Sequence, residues 1–294
     1  MCGIVGITFR GNAGASGVGL EKLRACFTAM LLKAQVRGSA ATGIAVIHGG
    51  TGANATVLRA PLAAEDFVKD RQYIKVINEA FDEDTISIIG HTRAVSGGAS
   101  ALLNNNNHPF VCGSFIGVHN GFISNNKEIR EACEPEMPSE GTCDSEVIFS
   151  LAHLLYDQTK DDPCAAASLS RALETVVGWF AVAAVSMEEP HKFLLARDTA
   201  SPLSFAWCQQ NEIGFVASEQ HYTYDSVVKV GLPTNLVAYS VPEDIVLCID
   251  STIPRGNEEF HCSGVRIVAA AAVDKSKLIE ENEEAYAITQ GKRG

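Results

Sequence analysis

The chain lacks the features by which several protein classes are recognised. Its 294 residues contain no CxxC pair and no cysteine–histidine spacing typical of zinc, so we predict neither a metal site nor a cofactor. The formal net charge of −12 leaves no basic stripe for a nucleic-acid partner. No apolar run reaches the roughly 18 residues of a membrane span, and no secretory signal precedes the first strand. We therefore predict a cytoplasmic protein without a membrane or nucleic-acid partner.

The composition is that of an ordinary globular protein. Hydrophobic residues make up 46% and charged residues 20% of a chain long enough to bury a large core. The nine cysteines form an odd number, and no secretory signal accompanies them. We therefore expect most of them to be reduced and buried.

The spacing of apolar residues predicts a layered α+β protein. Strand-like and helix-like runs alternate early in the chain, and short strands dominate after Gly178. The predicted strands are 3–9, 43–48, 85–89, 111–118, 179–186, 192–196, 203–207, 213–217, 236–240 and 245–250, and the predicted helices are 18–34, 64–80, 125–133, 144–157 and 165–176. Residues 96–107 are predicted to form a surface loop, and His119-Asn120-Gly121 is predicted to form a turn.

Cys2 offers a chemistry that no internal cysteine can perform. If Met1 is removed, residue 2 carries a thiol and a free α-amine together. The reference pKa of the thiol is about 8.5 and that of the amine about 7.7–8.0, so the amine can act as a base near neutral pH. The alternative is that Cys2 is merely the first small buried residue of an edge strand.

Several short motifs follow Cys2 along the chain. They are Arg37-Gly38 with Thr42-Gly43, Gly90-His91-Thr92-Arg93, Asn106-Asn107-His108-Pro109, Val118-His119-Asn120-Gly121-Phe122-Ile123, Thr142-Cys143-Asp144-Ser145-Glu146, Ala196-Arg197-Asp198 with Ser201-Pro202-Leu203, Phe215-Val216-Ala217-Ser218-Glu219 and Glu243-Asp244-Ile245. In this order they resemble the glutaminase domain of class II glutamine amidotransferases, which are N-terminal nucleophile hydrolases. The domain is similar to the glutaminase half of glucosamine-6-phosphate synthase.

The resemblance implies a fold and a domain boundary. The expected fold is α+β, a four-layer αββα sandwich of the N-terminal nucleophile hydrolase type. Residues 1–250 would form the glutaminase domain, and residues 251–294 a C-terminal extension that is partly strand, helix or tail.

The resemblance also implies roles for single residues. Cys2 would be the catalytic nucleophile, and the side-chain amide of Asn120 with the N–H of Gly121 would form the oxyanion hole. Arg93 would bind the α-carboxylate of glutamine as a bidentate fork, and Asp144 would bind its α-ammonium. Plainer interpretations exist for each motif: a hairpin turn at Asn120-Gly121, an ion pair at Arg93 and a helix N-cap at Asp144.

The resemblance assigns two further residues to substrate binding. The sequence also departs from the family pattern in two segments. Arg37 matches an arginine that helps order the N-terminus, and Ser96 can donate a hydroxyl where the family has threonine. Ala40-Ala41 stands where the family often has Asp-Ser, and Ala94-Val95-Ser96-Gly97-Gly98 stands where it commonly has Trp-Ala-Thr-His-Gly. We therefore expect a looser glutamine pocket.

The implied activity is hydrolysis of L-glutamine to glutamate and ammonia through a thioester on Cys2. About 45 residues follow residue 250, too few for a synthase domain, so the expected ammonia acceptor is a separate synthase. Two alternatives stay open. One is an amide or γ-glutamyl hydrolase that acts without a synthase partner, and the other is a non-catalytic glutamine-binding scaffold.

Overall fold

The strands pair in antiparallel fashion in two sheets. The computed structural model describes residues 1–49, 53–95, 99–133, 139–158, 164–252 and 266–269. The strands are β1 (Gly3–Phe9), β2 (Ala41–His48), β3 (Ala55–Ala60), β4 (Thr85–Arg93), β5 (Phe110–Cys112), β6 (Phe115–Ile123), β7 (Gly178–Ser186), β8 (Lys192–Arg197), β9 (Ser204–Cys208), β10 (Ile213–Ala217), β11 (Leu236–Ser240), β12 (Val246–Asp250) and β13 (Arg266–Ala269). The helices are α1 (Leu20–Ala34), α2 (Ala64–Phe67), α3 (Arg71–Glu79), α4 (Asn126–Cys133), α5 (Glu146–Gln158), α6 (Ala165–Thr175) and α7 (Gln220–Val230).

The strand order places β1 and β6 inside their sheets. The first sheet runs β11-β9-β10-β1-β4-β2-β3, and the second runs β13-β12-β8-β7-β6-β5. In the first sheet, β1 pairs with β10 on one side and with β4 on the other. In the second sheet, β6 pairs with β7 along its whole length. The strand that follows Cys2 is therefore held on both sides.

Side-chain alternation along the strands sorts the core into three apolar layers. Val5 and Ile7 of β1 pack outward among residues of α1 and α7. Ile4 points the opposite way and packs with Val118 of β6 between the two sheets. Phe115 of β6 packs among residues of α5 and α6. The order of layers is therefore helix, sheet, sheet, helix, and the predicted four-layer αββα sandwich is confirmed.

Most predicted elements are present within a few residues of their predicted ends, but three predictions were wrong. His119-Asn120-Gly121 is no turn: these residues lie inside β6, paired with Phe180–Val182 of β7, and this pairing overrides the local turn preference. The predicted helix 64–80 is two helices, because Asp70 begins α3 as an N-cap whose side chain accepts the N–H of Gln72 at 2.7 Å. The predicted strand 111–118 is two strands, β5 and β6, which pair as a hairpin. The predicted surface loop is exposed at residue 100 and at residues 102–105, whereas Asn106 and Asn107 at its end are buried.

Three further findings concern the cysteines, the helices and the C-terminal segment. Six cysteines are buried thiols: Cys2, Cys26, Cys112, Cys143, Cys208 and Cys248. Among the described residues, no helix combines the length and apolar character that crossing a membrane requires. Arg266–Ala269 extends the second sheet as β13 by pairing with β12. Residues 253–265 and 270–294 of the predicted extension lie outside the described residues, and the boundary at residue 250 stays a prediction.

Candidate functional site

Strand alternation brings the predicted site residues to one end of the layer between the sheets. Cys2 precedes β1 and lies on the same face as Ile4, which packs between the sheets. On β4, Arg93 shares the face of Ile89, and on β6, Asn120 shares the face of Val118. The register of β1 with β4 pairs Gly3 with Thr92, so Cys2 and Arg93 lie at neighbouring strand ends.

Cys2 is held through its backbone and its sulfur. Its backbone N–H donates to Oδ1 of Asn120 at 2.8 Å. Its Sγ lies 3.4 Å from the backbone nitrogen of Ala94, which donates to it, and 3.8 Å from the Ala94 carbonyl oxygen. The side chain is buried, with 9% of the residue exposed, whereas Met1 is 74% exposed. The thiol is therefore fixed beside the end of β4, next to a solvent-exposed methionine.

Burial, a hydrogen bond and nearby charges all affect the pKa of the Cys2 thiol, in different directions. Burial raises its pKa above the ordinary value, because the thiolate loses its hydration. The Ala94 hydrogen bond and the positive charges of the N-terminus and Arg93 act to lower the pKa, and Asp144 acts to raise it. These groups are therefore close enough to act on Cys2 electrostatically. The thiol needs a base to become a nucleophile at neutral pH.

Arg37 fixes the chain at Cys2. It ends a short 3-10 turn, Gln35–Arg37, that continues from α1. Its Nε–H donates to the Cys2 carbonyl oxygen at 2.8 Å, and its Nη1 forms an ion pair with Glu219 at 2.6 Å. A Cβ on the following Gly38 would lie 2.3 Å from the backbone nitrogen of Ala94, so only glycine allows this close approach. Arg37 thus contacts residue 2 through the backbone.

Asn120 and Gly121 lie at a close backbone contact of β6 with β7. Oδ1 of Asn120 accepts the Cys2 N–H, which directs the Nδ2 donor of the same amide away from the Cys2 nitrogen. A Cβ on Gly121 would lie 1.9 Å from the carbonyl oxygen of Trp179. Glycine is therefore required here, and the side-chain amide of Asn120 lies against the backbone of Cys2.

Arg93 is a buried guanidinium with neutral hydrogen-bond partners. Its Nη1 donates to Oδ1 of Asn107 at 2.7 Å, and its Nη2 donates to the Ala99 carbonyl oxygen at 2.8 Å. Within the described ranges, no carboxylate forms an ion pair with it. A buried cation without a counterion is costly, so this position favours an anionic ligand.

Asp144 precedes α5 and lies beside the last residue of β6, in a loop that several hydrogen bonds hold in place. Its Oδ2 accepts the backbone N–H of Ile123 at 2.8 Å. The buried carboxylate of Glu146 accepts the N–H groups of Glu140 and Gly141 at 2.6 and 3.1 Å and pairs with Arg130 at 2.9 Å. Arg130 also donates to the carbonyl oxygen of Cys143 at 2.7 Å. These contacts fix the backbone on both sides of Asp144.

Three buried histidines pack behind these groups. The rings of His91 and His108 are in contact, with centroids 4.0 Å apart and planes tilted by 33°, and Nε2 of His91 lies 3.1 Å from the carbonyl oxygen of His119. Nδ1 of His119 lies 2.8 Å from Oγ of Ser145. Burial lowers the pKa of His91 to about 3 and lowers the pKa of His108 and of His119 as well. The cluster is therefore neutral at physiological pH.

Comparisons with known proteins find a matching family and several relatives of this chain. Residues 91–224 match the family of glutamine amidotransferase domains. The glutamine–fructose-6-phosphate aminotransferase (isomerizing) of Chlamydia pneumoniae is 29% identical over 224 residues, which cover 74% of this chain and 32% of that protein. The protein of the same name from Xylella fastidiosa strain 9a5c is 34% identical over 201 residues, which cover 67% of this chain and 28% of that protein.

The fold has a solved counterpart. The B. subtilis glutamine phosphoribosylpyrophosphate amidotransferase, in complex with ADP and GMP, superposes with a TM-score of 0.61 at 18% identity, over 91% of this chain and 49% of that one. The chain contains a class II glutamine amidotransferase domain. It spans about a third of the length of the curated relatives it matches.

The amidotransferase domain brings most of the predicted site residues together. Cys2 is hydrogen-bonded to Asn120, Gly121 follows Asn120 on β6, and Arg93 and Asp144 lie within electrostatic reach of the thiol. Arg37 contacts the Cys2 backbone. Ser96 lies outside the described residues, so its predicted role stays a prediction.

Sequence reasoning missed the residues that hold the site residues in place. Asn107 fixes Arg93, Glu219 pairs with Arg37, and Glu146 holds the loop of Asp144. Each one belongs to a motif that we had noted in the sequence, but its contacts join segments far apart in the chain. Their place in these motifs was therefore the one feature of the sequence that could have indicated their roles.

Proposed function

We propose that the amidotransferase domain hydrolyses L-glutamine to glutamate and ammonia through a thioester on Cys2. One observation carries this proposal: the nitrogen of Cys2 is hydrogen-bonded to Asn120 while its sulfur lies buried beside Arg93 and Ala94. The nucleophile, the amide donor and the cation thus meet at one point of the inner layer.

The first step in this proposal is the removal of Met1, which the exposure of Met1 favours. The freed α-amine of Cys2 then takes the thiol proton, and Sγ attacks the carboxamide carbon of glutamine. The oxygen of the tetrahedral intermediate receives hydrogen bonds from Nδ2 of Asn120 and the N–H of Gly121. The Cys2 ammonium returns its proton to the leaving nitrogen, the C–N bond breaks, and ammonia and a thioester remain. Water cleaves the thioester to release glutamate and the free thiol.

Substrate recognition in this proposal uses charges of both signs. Arg93, which lacks a carboxylate partner among the described residues, binds the α-carboxylate of glutamine as a planar fork. Asp144 binds the α-ammonium. Arg37 keeps the chain at Cys2 in position through the Cys2 carbonyl oxygen and its ion pair with Glu219. We further propose that a synthase on another chain receives the ammonia.

The experiment that tests the function measures glutamate release from L-glutamine by the purified protein and two variants. Cys2→Ala is expected to abolish turnover and keep the fold, whereas Cys26→Ala, at another buried thiol on α1, is expected to retain turnover. Equal activity in Cys2→Ala would contradict the proposal. A strong preference for γ-glutamyl dipeptides over glutamine would instead support a γ-glutamyl hydrolase.

A further inference from the structure

Phe122 and Trp179 form an exposed aromatic pair where β6 and β7 meet solvent. The two residues are register partners, and their ring centroids lie 5.3 Å apart with planes 36° from parallel. Phe122 is 39% exposed and Trp179 is 49% exposed, whereas the next inward pair on this face, Asn120 with Ala181, is buried. Two large aromatic rings are thus left partly open beside a residue of the proposed oxyanion hole.

The pair lies on the face of the sheet that carries the proposed chemistry. Side chains two residues apart on a strand point to the same face, so Phe122 follows Val118 and Asn120 along one face of β6. Two residues of a strand advance about 7 Å. The ring of Phe122 therefore lies about 7 Å further toward solvent than Asn120, on the same face of β6. Asn120 in turn is hydrogen-bonded to Cys2.

A carboxylate reaches the same strand end. Oδ2 of Asp144 accepts the N–H of Ile123, the residue directly after Phe122. A ligand ammonium held by Asp144 is consequently brought to the end of β6 where the aromatic pair lies. The faces of tryptophan and phenylalanine rings attract an ammonium group and also cover apolar CH groups.

The geometry points to Phe122 and Trp179 as binding residues for the amino-acid head of glutamine. In this inference, which rests on the proposed glutaminase function, the rings contact the Cα and the α-ammonium that Asp144 holds. The pair adds affinity for amides with a free α-ammonium and takes no part in proton transfer. It thereby sets substrate class: α-amino acid carboxamides are preferred over the same amides without the amino group.

Steady-state kinetics with two substrates tests this role. For Trp179→Leu we expect the KM for L-glutamine to rise roughly 2- to 30-fold, the range of a cation–π contact, with little change in kcat. The kcat/KM for 4-carbamoylbutanoate, which lacks the α-amino group, is expected to change much less. Trp179→Phe should restore most of the affinity, because it keeps an aromatic face.

The matched control is Tyr239→Leu, which removes an exposed aromatic ring from β11 in the other sheet. It should leave both substrates unaffected. The inference is overturned if Trp179→Leu keeps the parental KM for glutamine, or if it weakens both substrates equally. If the parental protein does not hydrolyse glutamine at all, the proposed function itself fails, so the two failures are distinguishable.

Fluorescence gives a second readout that does not depend on turnover. The chain has two tryptophans, and the other one, Trp207, is 2% exposed inside β9. In a Cys2→Ala, Trp207→Phe protein, L-glutamine should change the emission of Trp179 in a saturable way. Calorimetric binding of glutamine without a change in emission would also overturn the inference.

Discussion

The backbone nitrogen of Cys2 donates a hydrogen bond to Oδ1 of Asn120 across 2.8 Å, joining residues 118 positions apart in the sequence. The bond connects the residue that precedes β1 of the first sheet to β6 of the second sheet. It uses the acceptor of the Asn120 amide and leaves the Nδ2 donor directed elsewhere. One asparagine therefore fixes the chain at Cys2 through its oxygen and keeps an amide donor that this bond does not use.

Asn120→Asp separates these two tasks. Aspartate keeps an oxygen that accepts from the Cys2 nitrogen, but it loses the Nδ2 donor. We expect kcat for glutamine hydrolysis to fall about 10²- to 10³-fold with a small change in KM, which is the usual cost of losing one oxyanion donor. Asn54→Asp, at an exposed asparagine between β2 and β3, is the control. An unchanged kcat would exclude Asn120 from oxyanion stabilisation.

Arg93→Ala tests the proposed carboxylate site. Without the guanidinium, the α-carboxylate loses its fork, and we expect the KM for glutamine to rise by at least about tenfold, as for a charged hydrogen-bonded pair. The control is Arg59→Ala on β3, because Arg59 donates to the carbonyl oxygen of Asn107, the residue that also fixes Arg93. If both variants keep the parental KM, Arg93 does not bind the substrate.

Glu146→Gln tests whether the held loop positions Asp144. The substitution keeps the size of the side chain but replaces one acceptor oxygen by a donor that faces backbone N–H groups. We expect an unfolding free energy lower by about 1–3 kcal/mol and a higher KM for glutamine with a smaller effect on kcat. Thermal unfolding and steady-state kinetics measure these. Glu128→Gln, exposed on α4, should change neither, and a normal KM in Glu146→Gln would remove the positioning role.

The buried histidines predict acid sensitivity. Burial lowers the pKa of His108, and neither of its ring nitrogens has a hydrogen-bond partner among the described residues. Above pH 6.5 the ring is neutral in both states, and as the pH falls the unfolded chain takes up a proton that the folded protein refuses. Each such ring then lowers the stability at pH 5 relative to pH 7, by at most about 2 kcal/mol, the limit set by the ordinary pKa of about 6.5 in the unfolded chain.

His108→Phe should therefore lessen the loss of stability in acid. We expect the difference in unfolding free energy between pH 7 and pH 5 to shrink by at most about 2 kcal/mol, because one proton-binding site of the unfolded chain is gone. Urea unfolding at both pH values measures this difference. The half-buried His153 of α5 supplies the control variant His153→Phe. An unaltered pH dependence in His108→Phe would show that burial does not lower the pKa of this ring in the folded protein.

The sequence was sufficient to predict the layers and most of the strands, because buried strands have runs of apolar and β-branched residues. It failed where tertiary contacts dominate local preference. Asn120-Gly121 has strong turn preference, yet pairing with β7 keeps it in a strand. The sequence analysis did not predict strand β3 or helix α7. The residues of β3 are half-buried and more than half of α7 is polar, so neither segment shows a strong periodicity of apolar residues.

At the candidate site, too, local sequence patterns were informative and contacts between distant segments were not predictable. The motifs pointed to residues that lie together in the fold, since Cys2 and Asn120 are hydrogen-bonded and Arg93 acts electrostatically on the thiol, and their roles stay predictions. The groups that hold them, such as Asn107 and Glu146, act through contacts between distant segments. No spacing along the chain predicts such contacts.

The central claim is that Cys2, with a free α-amine, is the nucleophile that attacks glutamine. Mass spectrometry of the purified protein after incubation with 6-diazo-5-oxonorleucine, a glutamine-like electrophile, tests this claim most directly. The account predicts a chain that begins at Cys2 and carries one adduct on that residue. A chain that retains Met1 yet turns over glutamine, or an adduct on another residue, would contradict it.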